Sequence, residues 1–361
     1  MPLERTPDRA REHAPKHARE HAQEQAPERE TPPALNRALA HYRRESPLPA
    51  ARAAAALARL LAGVSASSSP EAAWRFSALT ADGFPVELGF ASTGEAIRYT
   101  VESAGPECGP ADRLDRALAA VAGLTGEAFA GCPPAHLKPH LERLRHIQSA
   151  GRLAYGAWIG GRHGPDGDAF KLYAEVPAGG SPTADAWVRD LLGRAPLLTA
   201  RSPVLRMIGL DLATGRLEFY FRADGLQPWE IHRLTGRVGL ADQAADLLDL
   251  VEALAGRSAA QRLPFTRAGF SVSVMPGSSA FPAVFSLFGL ARTAIGPDGL
   301  VRRRLLDAAE RRGWPFRHYA AVSAPLAGRT DSRPPTRHGM LSFVAAPGVP
   351  PQLHIGLRPP P

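Results

Sequence analysis

The chain is poor in several residue types, and each scarcity excludes a class of protein. Only two of its 361 residues are cysteines, Cys108 and Cys132. Two cysteines outside any CxxC cannot build a disulfide scaffold, a zinc finger or an iron–sulfur cluster. No apolar run reaches the roughly 18 residues that a membrane span needs. The N-terminus is charged and lacks the apolar segment of a secretory signal. The expected location is cytoplasmic, with no membrane partner. Lysine is scarce too: Lys16, Lys138 and Lys171 are the only lysines among 43 basic residues. Those 43 against 35 acidic residues give a net charge of +8, which invites a nucleic-acid reading. The arginines are scattered rather than gathered in a stripe, however, so no nucleic-acid partner is expected.

What is present is an ordinary soluble composition, 44% hydrophobic and 22% charged, with ample material for a core. Residues 1–33 are low-complexity, charged and almost free of large apolar side chains, so a disordered tail is expected there. His13, His17 and His21 follow one another at a spacing that lines one helix face and can chelate a metal. Pro15 interrupts that run, and no carboxylate or cysteine completes a site.

From residue 34 to 361 one pattern recurs, and a single domain is expected. A helical stretch precedes a pair of strands, five times over, with a period of roughly 50 to 65 residues. The first helix is expected over 34–63. The first strands are WRFSALT, PVELGFAS and AIRYTVES, with turns at Asp82-Gly83 and Thr93-Gly94. Helices over 111–123 and 134–149 lead to RLAYGAWIGG and AFKLYAEVP. A helix near 183–194 leads to LRMIGLDLA and RLEFYFRA. A helix over 238–256 leads to AGFSVSVMPG and PAVFSLFGL. A helix over 299–313 leads to PFRHYAAVSA and HGMLSFVAA, with PQLHIGLRP as a closing strand.

Helices followed by hairpins exclude a parallel βαβ sheet. Around ten antiparallel strands must hide their edges, and closure into a barrel with helices outside does so. The fold class is therefore α+β, a ten-stranded antiparallel β-barrel wide enough to enclose a ligand. Residues two apart on a strand share a face. Lys171 and Tyr173 share one, Arg216, Glu218, Tyr220 and Arg222 share another, and Arg98 and Glu87 sit centrally in their own strands. On a solvated sheet these would be the wet side. Turned into a barrel, they give a lumen of Arg98, Lys171 and Arg216 interleaved with phenols. Such a set binds a polyanion such as diphosphate, through forked guanidinium groups, a point-charge ammonium and hydroxyl donors. A carboxylate among these cations should stay ionised near neutral pH and can accept a proton.

The succession ADGFPVELGF, IRYTVE, FKLYAEVP and RLEFYF resembles the aromatic prenyltransferases of the dimethylallyltryptophan synthase type. That family folds as a PT barrel of αββα repeats, and the resemblance spans about residues 40 to 361. It implies transfer of a prenyl group from an allylic diphosphate to an electron-rich, indole- or tryptophan-like acceptor, without metal or other cofactor. It implies that Glu87 bonds the indole N–H and helps remove the ring proton. It implies that Arg98, Lys171, Tyr173, Arg216 and Tyr220 hold the diphosphate. A small-molecule acceptor, the diphosphate donor and a monomer or homodimer follow from the same likeness.

The departures from the family pattern are Glu218 in place of a lysine, Phe288 in place of a tyrosine, and Met340 and Gly356 where tyrosines shield the allyl cation. A shield stabilises the cation through π faces while excluding water. Its loss leaves three readings: an enlarged pocket, a shield rebuilt from Phe288, Trp158 or His354, or a barrel that no longer transfers prenyl groups. Trp158 reads equally as core or pocket wall, and His354 as a structural histidine or a lumen base. A diverged reaction on a bulky natural product and a non-catalytic barrel for an apolar metabolite remain the rival functions.

Overall fold

Alternation of apolar and polar residues along the strands dictates the architecture seen in the computed structural model, which describes residues 32–124, 134–193, 202–277, 283–330 and 336–360. Residues 1–31 of the expected tail, its three histidines and Cys132 lie outside the described residues, and Pro33, its last residue, opens the first helix. Ten strands close into one antiparallel barrel. They are β1 (Val86–Ala91), β2 (Gly94–Val101), β3 (Ala157–Gly164), β4 (Gly167–Glu175), β5 (Val204–Asp211), β6 (Leu217–Arg222), β7 (Ala268–Val274), β8 (Val284–Leu290), β9 (His338–Ala346) and β10 (Val349–Leu357). Each strand pairs with its neighbours in sequence, and β1 meets β10, with Leu88 opposite Leu357, to complete the ring. Closure leaves no strand edge unpaired.

The core lies outside the sheet. Leu88, Ile159, Leu172, Ile208, Phe219, Phe270, Phe285 and Leu341 point outward and are buried. They meet the apolar faces of helices α1 (Pro33–Glu45), α2 (Pro47–Leu60), α5 (Arg113–Ala122), α6 (Lys138–Ser149), α7 (Pro182–Leu192), α8 (Pro228–Arg237), α9 (Gln243–Ala255), α11 (Asp298–Arg312) and α12 (Arg317–Val322). Three single turns, α3 (Ala62–Ser65), α4 (Pro70–Ala73) and α10 (Ala291–Ala294), join them. Helices α2 and α5 cover β3, α6 covers β4, and α9 covers β9 and β10. Each large side chain so buried contributes about 1.5–3 kcal/mol. The polar alternates are left to face the lumen.

Four expectations need correction. The helix expected over 34–63 breaks at Ser46-Pro47, because proline removes a backbone donor and is accommodated only at the start of a helix. WRFSALT is not a strand. Its backbone coils so that the Ser77 amide bonds the Gly83 carbonyl and Thr80 Oγ1 bonds that of Phe84. Gly83, at φ 80°, packs so close to the Arg75 carbonyl that a Cβ would lie 2.1 Å from its oxygen. PFRHYAAVSA contains helix α12 instead of a strand. His318, Tyr319 and Val322 are its buried residues, a spacing that suits a helix. Finally, α8 precedes the expected 238–256 helix, started by Pro228 and by Glu230 reaching back to the Gln227 amide.

Candidate active site in the barrel lumen

The lumen is a cavity of about 1290 Å³. All twelve residues nominated from sequence line it: Glu87, Arg98, Trp158, Lys171, Tyr173, Arg216, Glu218, Tyr220, Phe288, Met340, His354 and Gly356. Closure therefore decides what alternation left open, and the polar face is the inner one.

Glycines decide where the long side chains lie. Lys171 on β4 passes over Gly209 of β5, where a Cβ would come 2.5 Å from its Cε. Crossing that strand brings its ammonium to the Glu218 carboxylate and within 3.1 Å of the Tyr220 hydroxyl on β6. Its nitrogen also lies 5.2 Å from the centre of the Tyr173 ring. Burial opposes the charge on both partners, but their attraction outweighs it. Lys171 is held above the ordinary lysine range, and Glu218, which also accepts from Ser271, is held below the ordinary carboxylate range.

Arg98 has a different neighbour. Its cross-strand partner is Arg162 on β3, and its Nε is buried without a partner among the described residues. Burial first, then the charge of Arg162, lowers its pKa. Directly opposed like charges destabilise a sheet, and an anion placed between the two guanidinium groups would relieve that repulsion. Arg216 completes the cluster, with its Nε donating to Ser273 Oγ at 2.7 Å. Arg162 was not foreseen, because the expected strand ended at Gly161; its alternation with Trp158 and Gly160 would have found it.

Glu87 stands apart from these cations. Its carboxyl rests on Gly339 and Gly356, where a Cβ would meet its Oε1 at 2.0 Å and its Cδ at 2.3 Å respectively. Burial pushes its pKa up to about 8. Gly356 thus makes room for the Glu87 carboxyl, and Gly356→Ala is expected to displace that group from its seat. The melting midpoint should move little, since the clash is with a side-chain end. A thermal melt and a crystal structure of the variant check this.

Aromatic rings line the wall between these regions. Trp158 faces Tyr173 across β3–β4; Tyr173 and Tyr220 have ring centres 6.0 Å apart, as have Tyr220 and Phe288. Trp158 stacks on Tyr155 at 4.1 Å and donates its indole N–H to the buried Glu102, which also pairs with Arg113 of α5 at 3.0 Å. Tyr155 is held in turn by Glu175, whose carboxylate accepts the amides of Ala154, Tyr155 and Gly156. His354 is pushed down to about 4 by burial and by Arg98 and Lys171, so it is neutral. Met340 is 39% exposed. At the rim opposite the hairpin turns Arg206, Arg222, Arg267, Arg292, Arg337 and Arg358 mark the ends of β5–β10. Arg222 pairs with Asp224, and Arg337 and Arg358 both pair with Asp82, at 2.7 and 3.1 Å.

Among solved structures, the chain is similar to 6-dimethylallyltryptophan synthase from Micromonospora olivasterospora in complex with DMASPP and Trp. The TM-score is 0.70 at 20% identity, covering 90% of this chain and 96% of that one. Prenyltransferase PriB, in a ternary complex with L-tryptophan and dimethylallyl thiolodiphosphate, gives 0.68 at 20% identity over 90% and 95%. AnaPT from Neosartorya fischeri gives 0.64 at 12% identity over 91% of each chain. No family model matches the sequence, and no curated protein matches it. The chain therefore has the PT-barrel fold. Among the described residues no helix is long and apolar enough to cross a membrane, and no group of three His, Cys, Asp or Glu could hold a metal ion.

Proposed function

We propose that this chain is an aromatic prenyltransferase, moving an allylic group from its diphosphate to an indole- or tryptophan-like acceptor. One observation carries the reading: Arg98, Arg162, Lys171 and Arg216, on β2, β3, β4 and β6, all line an aromatic-walled lumen, with Arg98 and Arg162 directly opposed and the Arg98 Nε without a partner among the described residues. In this reading Arg98, Lys171, Tyr173, Arg216 and Tyr220 hold the diphosphate, and the cations neutralise it without a metal. The bond from the allylic carbon to oxygen breaks, and the rings of Trp158, Tyr173, Tyr220 and Phe288 face the cation and keep water from it. The arene attacks that carbon, and Glu87 orients the acceptor N–H and takes the ring proton. Phe288 and Trp158 rebuild the shield that Met340 and Gly356 do not supply.

Calorimetric titration with dimethylallyl and geranyl thiolodiphosphate tests this. At least one should bind, with affinity falling about 100-fold in Lys171→Ala and Arg216→Ala, the loss of a charged hydrogen-bond partner to an anion. Turnover with tryptophan should persist in EDTA. Aromatic ligands that bind while neither mimic does would point instead to a barrel with a diverged reaction.

A further inference from the structure

Glu218 is out of place in an anion cage. A carboxylate beside bound diphosphate is repelled by it, and the diphosphate competes for the same lysine. The groups facing Glu218 are Lys171 and Tyr173 on β4, Asp211 on β5, Arg216 and Tyr220 on its own strand, and Ser271 and Ser273 on β7. His354 reaches it from β10 and is neutral. An alkyl diphosphate brings about three negative charges above pH 7. Set beside Glu218, that charge opposes the carboxylate and competes for Lys171, and one proton removes the repulsion.

Where that proton goes follows from the contacts. Asp211 Oδ1 accepts the Ala213 and Thr214 amides and the Thr214 hydroxyl at the β5–β6 turn, and an amide N–H can only donate. Glu218 keeps its charge chiefly through Lys171, the partner that the diphosphate takes over. Its remaining partners are hydroxyls, and Tyr220 and Ser271 can accept or donate to either form.

We propose that Glu218 is a catalytic acid, taking up a proton as the allylic diphosphate binds and passing it to the departing group. The proposal rests on the prenyl-transfer reading above. As the bond from the allylic carbon to oxygen breaks, the Glu218 proton moves to a diphosphate oxygen, and the product leaves as hydrogen diphosphate. The arene supplies the electron pair for the new carbon–carbon bond and releases its ring proton to Glu87. Glu218, again a carboxylate, returns to Lys171. A lysine at this position would stabilise the leaving group by charge alone, whereas a glutamic acid does so by proton transfer.

The test is calorimetry of dimethylallyl thiolodiphosphate binding at about pH 8.5, where the ligand is fully ionised, in two buffers of different ionisation enthalpy. The wild type should take up close to one proton, and its affinity should fall about tenfold per pH unit. Glu218→Gln keeps the shape and the hydroxyl partners but cannot titrate. It should take up no proton, bind the mimic more tightly than wild type at that pH, and turn over about 100-fold more slowly with the true diphosphate. A merely structural role would weaken binding and turnover together. Zero proton uptake by the wild type overturns the proposal whatever the variant does, as does wild-type turnover in Glu218→Gln. Failure of wild-type protein to bind either donor mimic would sink the prenyl-transfer reading itself, a separate outcome.

Discussion

Glu87→Gln is expected to leave the barrel folded and to slow turnover by about 10²-fold or more, the contribution typical of a positioned general base. Glutamine keeps the carbonyl that accepts an acceptor N–H, so the Michaelis constant for the aromatic should change little. The pH profile separates the two roles. Burial holds Glu87 protonated up to about pH 8 in the empty lumen, and a base must first lose its proton. With the donor saturating, wild-type kcat/KM for the aromatic should therefore rise with pH and level off above about 8, and this limb should be missing from Glu87→Gln. Steady-state rates across that range decide it. Wild-type turnover in the variant would remove Glu87 from the chemistry.

Arg113→Ala should be strongly destabilising, costing about 3–5 kcal/mol, because it strands the buried Glu102 carboxylate behind Trp158. Glu102 is 0% exposed and its Oε1 has no partner among the described residues. Burial already pushes it up to about 7 against the pull of Arg113. Without the arginine it must be protonated to remain inside, so the penalty should grow as the pH rises from about 6 to 9. Trp158 loses a firm partner in the same step, and donor binding should weaken with stability. Urea melts at two pH values test this, and a penalty below about 1 kcal/mol at the higher pH would mean that the pair is hydrated. The sign extends to the parent protein. Glu87 and Glu102 hold protons in the folded chain that the unfolded chain has lost, so stability should decline as pH rises through 7 to 8.

Much of this architecture is legible in the residues because a strand repeats every two positions and a hairpin needs turn residues between its arms. AFKLYAEVP and RLEFYFRA show both signals, and their strands lie where the pattern places them. WRFSALT and PFRHYAAVSA carry the same aromatic and small residues, but the turn bonds of Thr80 and the buried Tyr319 decide their structure, and those contacts form only in the folded chain. The lumen-lining residues are legible because long polar side chains stand out on apolar strands. Their partners did not stand out. Lys171 reaches Glu218 across an intervening strand, and only the lack of a side chain at Gly209 permits it. Arg162 meets Arg98 through a register that no local pattern encodes.

The inside-out division of each strand has a consequence for how such a barrel changes over generations. Outward residues hold the helices and carry most of the burial energy, whereas inward residues face a cavity and carry little of it. A substitution in one set is nearly silent in the other, so the ligand site can be rewritten one position at a time without an unstable intermediate. Similarity of shape at 12% and 20% identity is what that independence allows. It also defines a library for retargeting: randomise alternate positions on β8, β9 and β10, where Phe288, Met340 and His354 line the lumen, and leave the outward alternates fixed.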